Sequence, residues 1–165
     1  HSHVIYSDDA GATWALGGVL PGRTDESIAA ELADGSLYLN MRNNYGLKQR
    51  AFAVSTDRGQ TFGPLAHDAA LVEPVCQGSV LGVTRSAEHL MFFSNPANVK
   101  RENMTVRISR DETKTWSAGK VLWQGPSAYS DLAQLDAQTL ACLYERGENN
   151  PYETITLARI AMDAF

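Results

Sequence analysis

The chain has only two cysteines, no run of lysine or arginine, and no apolar stretch near the roughly 20 residues that a membrane-spanning helix needs. Its net charge is -5, so no basic patch is available to neutralise phosphates, and we expect no nucleic-acid partner and no membrane span. Residues 1–6 lack an initiating Met and the basic start and apolar core of a signal peptide. We therefore expect the chain to begin inside a longer protein.

The two cysteines, Cys76 and Cys142, each lie in or beside a strand-like run, and no spacing of Cys, His or carboxylates is typical of a metal site. We therefore expect no metal and no other cofactor. Two buried free thiols are the favoured interpretation, with a disulfide as the alternative. Since both states occur in nature under different redox conditions, the cysteines leave the cellular compartment undecided.

What the chain does contain is a repeat, Ser-x-Asp-x-Gly-x-Thr-aromatic, at residues 7–14, 55–62 and 109–116, with spacings of 48 and 54 residues. Each copy follows a short β-rich run, which predicts a turn between two strands. Asp can accept hydrogen bonds from its own turn, Gly supplies a positive φ, and the aromatic ring is expected to pack onto the layer beneath. The third copy has Thr113 in place of Gly, which predicts that this turn is either the most strained or the most altered of the three.

The segments between these turns repeat as well. Each unit of about 50 residues has room for four strands and shows no convincing helical pattern, so the sequence predicts an all-β fold built of propeller blades. The first two strands of each unit form a hairpin around a tight turn. The predicted hairpin strands are 27–32 with 37–41, 78–83 with 90–94, and 130–135 with 139–144.

A polar residue precedes the first strand of each unit: Glu26, Gln77 and Tyr129, at spacings of 51 and 52 residues. Because propeller blades present their first strand to the central channel, we expect all three side chains to face one central pocket. Arg42 and Glu145 follow 16 residues after Glu26 and Tyr129, at the ends of the second strands. Across a hairpin these positions meet at one sheet edge, which predicts that Tyr129 and Glu145 are neighbours.

Arg101 lies on a loop rich in Pro and Asn, where binding residues are commonly carried. Together with Arg42 it could bind a single carboxylate, for which the guanidinium fork is well suited. Considered singly, each residue has an ordinary explanation: Tyr129 as a half-buried tyrosine at a strand start, and the arginines as surface ion-pair partners. For Tyr129, only its equivalence with Glu26 favours a role in a site.

These residues carry a family resemblance. The chain resembles the exo-sialidase (neuraminidase) family of Asp-box β-propellers, which have six four-stranded blades, of which about three would be present here. The resemblance implies that residues 1–165 are the C-terminal half of such a propeller domain. It rests on the Asp boxes at 7–14, 55–62 and 109–116, and on the segments 25–27, 40–42, 94–101, 129–132 and 143–145.

The resemblance implies a retaining exo-α-sialidase, a glycoside hydrolase that removes terminal sialic acids from glycans through a tyrosine nucleophile. Tyr129 would be the nucleophile and Glu26 its general base. Arg42 and Arg101 would be two of three arginines that bind the substrate carboxylate. Glu145 would orient the third arginine, and Gln77 would line the pocket.

The family places the third arginine and the acid/base aspartate in its N-terminal half, and residues 1–25 match neither. The implied partners are therefore sialylated glycans and the N-terminal half of the propeller, without which we expect no activity. The implied location is secreted, periplasmic or cell-surface, where sialylated substrates occur. Two alternatives stay open: a sialic-acid-binding, lectin-like propeller without catalysis, and a structural Asp-box propeller that binds proteins.

Overall fold

The computed structural model describes residues 1–165 and contains twelve β-strands and one 3₁₀ turn, Met162–Ala164. No helix in it is long and apolar enough to cross a membrane. The strands are β1 (His3–Tyr6), β2 (Ala15–Val19), β3 (Thr24–Glu31), β4 (Leu37–Asn43), β5 (Gln49–Ser55), β6 (Ala66–Val72), β7 (Ser79–Arg85), β8 (Glu88–Pro96), β9 (Glu102–Ser109), β10 (Lys120–Gln134), β11 (Thr139–Arg146) and β12 (Thr154–Ala161).

The strands form antiparallel sheets in the sequential order typical of propeller blades. β1 and β2 form a two-stranded sheet, and β3 to β6 form a complete four-stranded blade. β7 to β9 and the first part of β10 form a second complete blade, and the rest of β10 pairs with β11 and β12 in a three-stranded unit. The predicted all-β propeller architecture, with about four strands per unit, is confirmed.

The long strand β10 differs from the prediction of a separate strand at 130–135. It runs for 15 residues and pairs with β9 through its first part and with β11 through its second. Register shifts occur between Trp123 and Pro126 and between Ser127 and Ser130. These irregularities let one strand turn from one blade into the next without an intervening loop, and Pro126 lies at the point where the ladder is interrupted.

The Asp boxes form the predicted turns. In the second box, Asp57 accepts hydrogen bonds from the Ser55 hydroxyl (2.8 Å), the Thr61 backbone NH (2.9 Å) and the Thr61 hydroxyl (2.5 Å). These bonds, led by that of the Thr61 hydroxyl, lower the pKa of Asp57 to about 2. The same residue types make the same contacts in the other two boxes, so the repeat encodes a self-contained turn.

The aromatic residues of the boxes do not all pack as expected. Phe62 and Trp116 are partly buried against the cores between the blades, and the Trp116 indole NH donates to Asp68 at 3.0 Å. Trp14 instead is 62% exposed, so the expectation that it packs beneath its turn is wrong. The reason is that Trp14 borders the two-stranded sheet of β1 and β2, where no further strand covers it.

Thr113 takes the same left-handed conformation as the glycines it replaces. Its φ is 65°, compared with 89° at Gly11 and 83° at Gly59. A β-branched residue is disfavoured in this region because its side chain crowds the following carbonyl. The predicted strain in the third box is therefore present in its backbone.

The apolar core lies between neighbouring sheets, as it does when propeller blades pack face to face. Leu20 packs with residues of β4 and β5 between the first two units. Tyr38 and Leu71 pack with residues of β7 and β8 between the two complete blades. The largest cluster has twelve buried residues and joins the second complete blade to the terminal three-stranded unit.

At both ends of this stack apolar side chains are exposed. Ile5 and Leu16 in β1 and β2 are 59% and 64% exposed, and Ile155 and Leu157 in β12 are 72% and 58% exposed. Each pair lies on a sheet that has no neighbouring blade to cover it. The outermost sheet at each end of the stack therefore exposes an apolar face.

Both cysteines are buried free thiols, as the favoured interpretation predicted. Burial raises the pKa of Cys76 to about 11 and that of Cys142 to about 12. A thiol with such a pKa stays protonated near neutral pH and is a poor nucleophile.

Candidate active site

The fold brings together residues that lie far apart in the sequence. Glu26 in β3 and Tyr129 in β10 are 103 residues apart, yet the Tyr129 hydroxyl donates a hydrogen bond to Glu26 Oε1. Arg42, in β4 next to β3, donates from Nη1 to Glu26 Oε2 at 2.8 Å and to the Tyr129 hydroxyl at 3.1 Å. A phenol, a carboxylate and a guanidinium therefore form one contact group.

Burial, hydrogen bonds and charges within this group shift the pKa values of Glu26 and Tyr129 in opposite directions. Partial burial acts to raise the pKa of Glu26, but hydrogen bonds from Tyr129 and Arg42 and the Arg42 charge hold it below its usual value. The hydrogen bond to Glu26, followed by partial burial and the Glu26 charge, raises the pKa of Tyr129. At neutral pH Glu26 is therefore an ionised acceptor, and Tyr129 is a protonated phenol that donates to it.

Arg101, in the loop between β8 and β9, lies against the same phenol. Its guanidinium carbon is 5.8 Å from the centre of the Tyr129 ring, which is within cation–π range. Nη2 donates to the Val75 carbonyl at 3.2 Å, and Nη1 donates to the Tyr152 hydroxyl at 2.6 Å. Both predicted arginines thus contact Tyr129, Arg42 at its hydroxyl and Arg101 at its ring.

Glu145 and Gln77 fix the backbone around Tyr129. Glu145 Oε2 accepts a hydrogen bond from the Tyr129 NH at 3.0 Å, which confirms the predicted proximity across the β10–β11 hairpin. Gln77 uses both ends of its amide on Ser130: its Oε1 accepts from the Ser130 NH, and its Nε2 donates to the Ser130 carbonyl, each at 3.0 Å. Gln77 therefore ties the connection before β7 to the neighbouring blade's first strand.

A cavity of about 460 Å³ opens beside this group. Tyr129, Gln77 and Glu145 line one part of it, and the exposed apolar residues Leu143 and Ile155 line another. Leu143 and Ile155 belong to the terminal unit that has no neighbouring blade, so the cavity is open on that side. Glu26, Arg42 and Arg101 do not line this cavity, and four larger clefts contain none of the six predicted site residues.

The sequence did not predict three other contacts at the site. Asp25 Oδ2 lies 3.7 Å from Arg42 Nε, and its position beside Glu26 was the only available signal. Tyr152, which is 60% exposed, reaches Arg101 from a loop that shows no repeat pattern. The Val75 carbonyl is a backbone group, and no side-chain pattern identifies it. No group of three or more His, Cys, Asp or Glu residues is arranged to hold a metal ion.

Comparison with known proteins gives consistent results. A family model described as "BNR repeat-like domain" matches residues 1–142. The sialidase of Micromonospora viridifaciens is 35% identical over 161 residues, which cover 93% of this chain and 25% of that protein. Sialidase-3 of Mus musculus is 33% identical over 202 residues, which cover 94% of this chain and 48% of that protein.

Among solved structures, the Hadza microbial sialidase Hz136 superposes with a TM-score of 0.86 at 34% identity, over 98% of this chain and 32% of that one. The chain thus spans between about a quarter and a half of the length of these relatives. The family model covers most of the chain, and the Asp-box turns and blade topology match the fold of these neighbours. The chain therefore belongs to the BNR repeat-like domain family, and it forms part of an Asp-box β-propeller of the sialidase type.

Proposed function

We propose that this chain carries the nucleophile, the general base and two substrate-binding arginines of a retaining exo-α-sialidase. The observation that carries the proposal is the hydrogen bond from the Tyr129 hydroxyl to Glu26, with Arg42 bound to both. The sialidase relatives support the reaction class, and the contact group supplies groups suited to it. The substrates would be glycans that end in sialic acid.

The chemistry of the substrate explains why a phenol would serve as nucleophile. Sialic acid carries a carboxylate on its anomeric carbon, so an ionised Asp or Glu would be repelled as it approached. A neutral phenol avoids this repulsion but needs a base to remove its proton as it attacks. Glu26 accepts the hydrogen bond of that proton and is ionised at neutral pH, so it is placed to take it.

In the proposed reaction, the Tyr129 oxygen bonds to the anomeric carbon while its proton moves to Glu26, and the bond to the leaving glycan breaks. The leaving oxygen takes a proton from an acid outside the contact group. Water then attacks the same carbon of the sialyl-tyrosine and gives a proton to the group that had protonated the leaving glycan. The bond between that carbon and the Tyr129 oxygen breaks, and the phenol recovers its proton from Glu26. Two displacements at one carbon give net retention of configuration.

Arg42 and Arg101 would bind the substrate carboxylate. Both guanidinium groups lie at Tyr129, so a carboxylate bound between them would place the adjoining anomeric carbon near the phenol. Glu145 lines the cavity and uses Oε2 to accept from the Tyr129 NH, and we propose that its Oε1 orients a third arginine from the adjoining part of the propeller. Gln77 would line the pocket and hold Ser130.

We further propose that residues 1–165 form the C-terminal half of a six-bladed propeller that is completed by an N-terminal half. The exposed apolar faces at both ends of the chain and the partial coverage of the relatives support this organisation. The N-terminal half would supply the third arginine and the acid/base aspartate. A secreted, periplasmic or cell-surface location would fit sialylated substrates.

The experiment that tests the function is hydrolysis of a fluorogenic sialoside by the complete gene product, by its Tyr129→Phe variant and by the isolated 165-residue chain. We expect activity in the complete protein, a large loss in Tyr129→Phe and no activity in the isolated chain. Proton NMR of the first-formed sialic acid anomer tests retention. Tyr6→Phe is the matched control, because the Tyr6 hydroxyl contacts none of the site residues.

The same experiment distinguishes the sialidase from the alternative, a lectin-like propeller that binds sialic acid without hydrolysis. If the complete protein binds sialic acid in a manner that depends on Arg101 but hydrolyses no sialoside, the lectin-like interpretation replaces the sialidase. If it neither binds nor hydrolyses, both fail. Robust hydrolysis by the isolated chain would contradict the proposal that the N-terminal half supplies essential groups.

A further inference from the structure

A buried ion pair lies in the blade that carries Glu26 and Arg42. Arg50 in β5 and Glu73 just after β6 approach to 2.6 Å, and their side chains are 0% and 1% exposed. Neither residue contacts the cavity beside Tyr129. A fully buried pair of charges is uncommon, because desolvation offsets most or all of the attraction between them.

The pair is part of a hydrogen-bond network that crosses three segments. Arg50 Nε donates to Asn40 Oδ1 at 2.7 Å, and its Nη1 also donates to the Cys76 carbonyl at 2.6 Å. Glu73 Oε1 accepts from the backbone and side-chain nitrogens of Asn43, at 3.3 and 3.2 Å. Asn40 and Asn43 flank Arg42 in β4, so the network links that strand to residues 73–78, which we call the 73–78 connection.

The 73–78 connection makes two contacts that shape the proposed active site. The Val75 carbonyl accepts a hydrogen bond from Arg101, and the Gln77 amide holds both backbone groups of Ser130, the residue after Tyr129. Arg101 and Tyr129 are thus both held from this one short segment. A shift of the connection would move a carboxylate-binding group and the proposed nucleophile together.

The backbone of the connection needs an external restraint. Val75 has a φ of 60°, in the left-handed region that β-branched residues avoid because of steric strain. Such a conformation persists only where neighbouring contacts hold it. Arg50 provides one such contact, because it donates to the carbonyl of Cys76, the residue after Val75. Glu73 provides another, because it lies two residues before Val75 and accepts a hydrogen bond from the Asn43 NH.

Stability alone does not account for the pair. Burial lowers the pKa of Arg50 and raises that of Glu73, and the attraction between the two groups opposes both shifts. Arg50 Nη2 is also buried without a hydrogen-bond partner, which adds a further cost. A buried ion pair is in general weak evidence for stabilisation, because apolar residues of similar size often stabilise a fold equally well. Only the guanidinium reaches Glu73, Asn40 and the Cys76 carbonyl at once.

We propose that Arg50 is a positioning residue of the active site: paired with Glu73, it sets the 73–78 connection so that the Val75 carbonyl orients Arg101 and Gln77 fixes the strand start beside Tyr129. This role rests on the proposed sialidase function for its kinetic consequence. The role also has a structural consequence: Arg50 keeps the 73–78 connection and Ser130 ordered. That consequence does not depend on the proposed function.

The test uses the complete protein with three changes at the pair. Arg50→Met leaves Glu73 buried without a partner and should strongly destabilise the fold. The double variant Arg50→Met/Glu73→Leu removes both charges and should be clearly more stable than Arg50→Met, although Asn40 Oδ1 and the Cys76 carbonyl each lose a buried hydrogen bond. Arg50→Lys keeps a charge opposite Glu73 but cannot reach both Asn40 and Cys76. Leu140→Ala, a fully buried core change in β11, is the control for a purely structural loss.

For the double variant we expect stable folding, a loss of at least about tenfold in kcat/KM for the sialoside, and weaker competitive inhibition by sialic acid. Arg50→Lys should show a smaller loss in kcat/KM and a smaller weakening of inhibition. Leu140→Ala should lose stability but keep the kinetic constants of its folded fraction. Wild-type kinetics in a folded double variant would overturn the proposal.

Amide hydrogen exchange gives a readout that is independent of catalysis. The Ser130 NH donates to Gln77 Oε1, so residues 128–134 should exchange faster in the double variant and in Arg50→Lys, while residues 139–146 should not change. If the wild-type protein hydrolyses no sialoside, the proposed function fails and exchange alone decides the role of Arg50. Unchanged exchange at 128–134 would refute that role in either case.

Discussion

Tyr129 and Glu26 lie 103 residues apart in the chain, on the first strands of units that are not neighbours in sequence, and share a hydrogen bond between phenol and carboxylate. Arg42 binds both groups, and this environment lowers the pKa of Glu26 and raises that of Tyr129. The proton therefore rests on Tyr129 at neutral pH. In the proposed reaction it would move to Glu26 as the phenol oxygen bonds to the substrate, because only then would the phenol become the stronger acid.

The first prediction concerns Glu26→Gln in the complete protein. An amide cannot take the phenol proton, so kcat/KM should fall by about 10²–10⁴-fold, the usual contribution of general base catalysis. In the wild type, the lowered pKa of Glu26 keeps it ionised over the neutral range, so the loss of activity through Glu26 should come only as the pH falls through that lowered pKa. The pH profile of kcat/KM with a fluorogenic sialoside measures this.

Glu31→Gln is the matched control, because Glu31 is exposed in the same strand and makes no contact with Tyr129. It should keep the wild-type profile. A Glu26→Gln variant that retained the activity and acid limb of the wild type would exclude Glu26 as the base.

The second prediction concerns Tyr152, whose hydroxyl accepts a hydrogen bond from Arg101 at 2.6 Å. Tyr152→Phe removes this bond and keeps the ring, whose centre is 6.0 Å from the guanidinium carbon. Because Tyr152 is largely exposed, the lost bond should be worth about 1 kcal/mol, or about fivefold in affinity. We expect KM to rise by that factor with kcat nearly unchanged, and Tyr152→Ala to raise KM further.

Steady-state kinetics with the complete protein measure both variants. A fall in KM for Tyr152→Phe would show the opposite: that Tyr152 holds Arg101 away from the substrate and must be displaced on binding.

The third prediction concerns the strain in the third Asp box. Thr113→Gly replaces a β-branched residue at a φ of 65° with the residue that the other boxes carry. Relief of the left-handed strain should exceed the added entropy of the unfolded chain, for a net stabilisation of about 1 kcal/mol. The free energy of unfolding from urea titration measures it.

The reverse change, Gly59→Thr in the second box, is the control. It places a side chain at a φ of 83°, where a Cβ would lie 3.3 Å from Val4, and should destabilise the protein. Equal stability of Thr113→Gly and the wild type would mean that the turn of the third box is not strained.

The sequence predicts those parts of the structure that repeat. The spacing of 51 and 52 residues predicts corresponding strand starts for Glu26, Gln77 and Tyr129, whereas the structure places them inside β3, just before β7 and inside the long β10. The hairpin offset of 16 residues places Glu145 beside Tyr129, as predicted. Equivalent positions around a propeller face a common centre, so such residues can be recognised from local patterns alone. The Asp-box turns are equally local, because each turn satisfies its own hydrogen bonds.

What the sequence does not predict depends on contacts made only in this tertiary arrangement. Trp14 has the same local pattern as Phe62 and Trp116, but its exposure is set by which strands lie beside it. Arg50 and Glu73 are 23 residues apart with no repeated spacing, and no local pattern distinguishes them from surface charges. Their pairing follows from burial, and the sequence repeat does not indicate which charged residues are buried.

The last prediction concerns the apolar end face of β12, where Ile155 is 72% exposed. In the isolated chain, Ile155→Lys should reduce self-association, because it replaces apolar surface with a charge. In the complete protein the proposal places this face against another blade, so the same change should bury a lysine without a partner and destabilise the fold by several kcal/mol. Analytical ultracentrifugation of the chain and thermal unfolding of the complete protein measure the two effects.

Gln138→Lys, in the exposed turn between β10 and β11, is the control and should alter neither measurement. The opposite signs of the two effects are what distinguish an interior blade face from a surface that is exposed throughout. If Ile155→Lys left the complete protein as stable as the wild type, the face of β12 would be solvent-exposed there as well. The proposed packing of the N-terminal half against β12, with the third arginine that Glu145 would orient, would then be wrong.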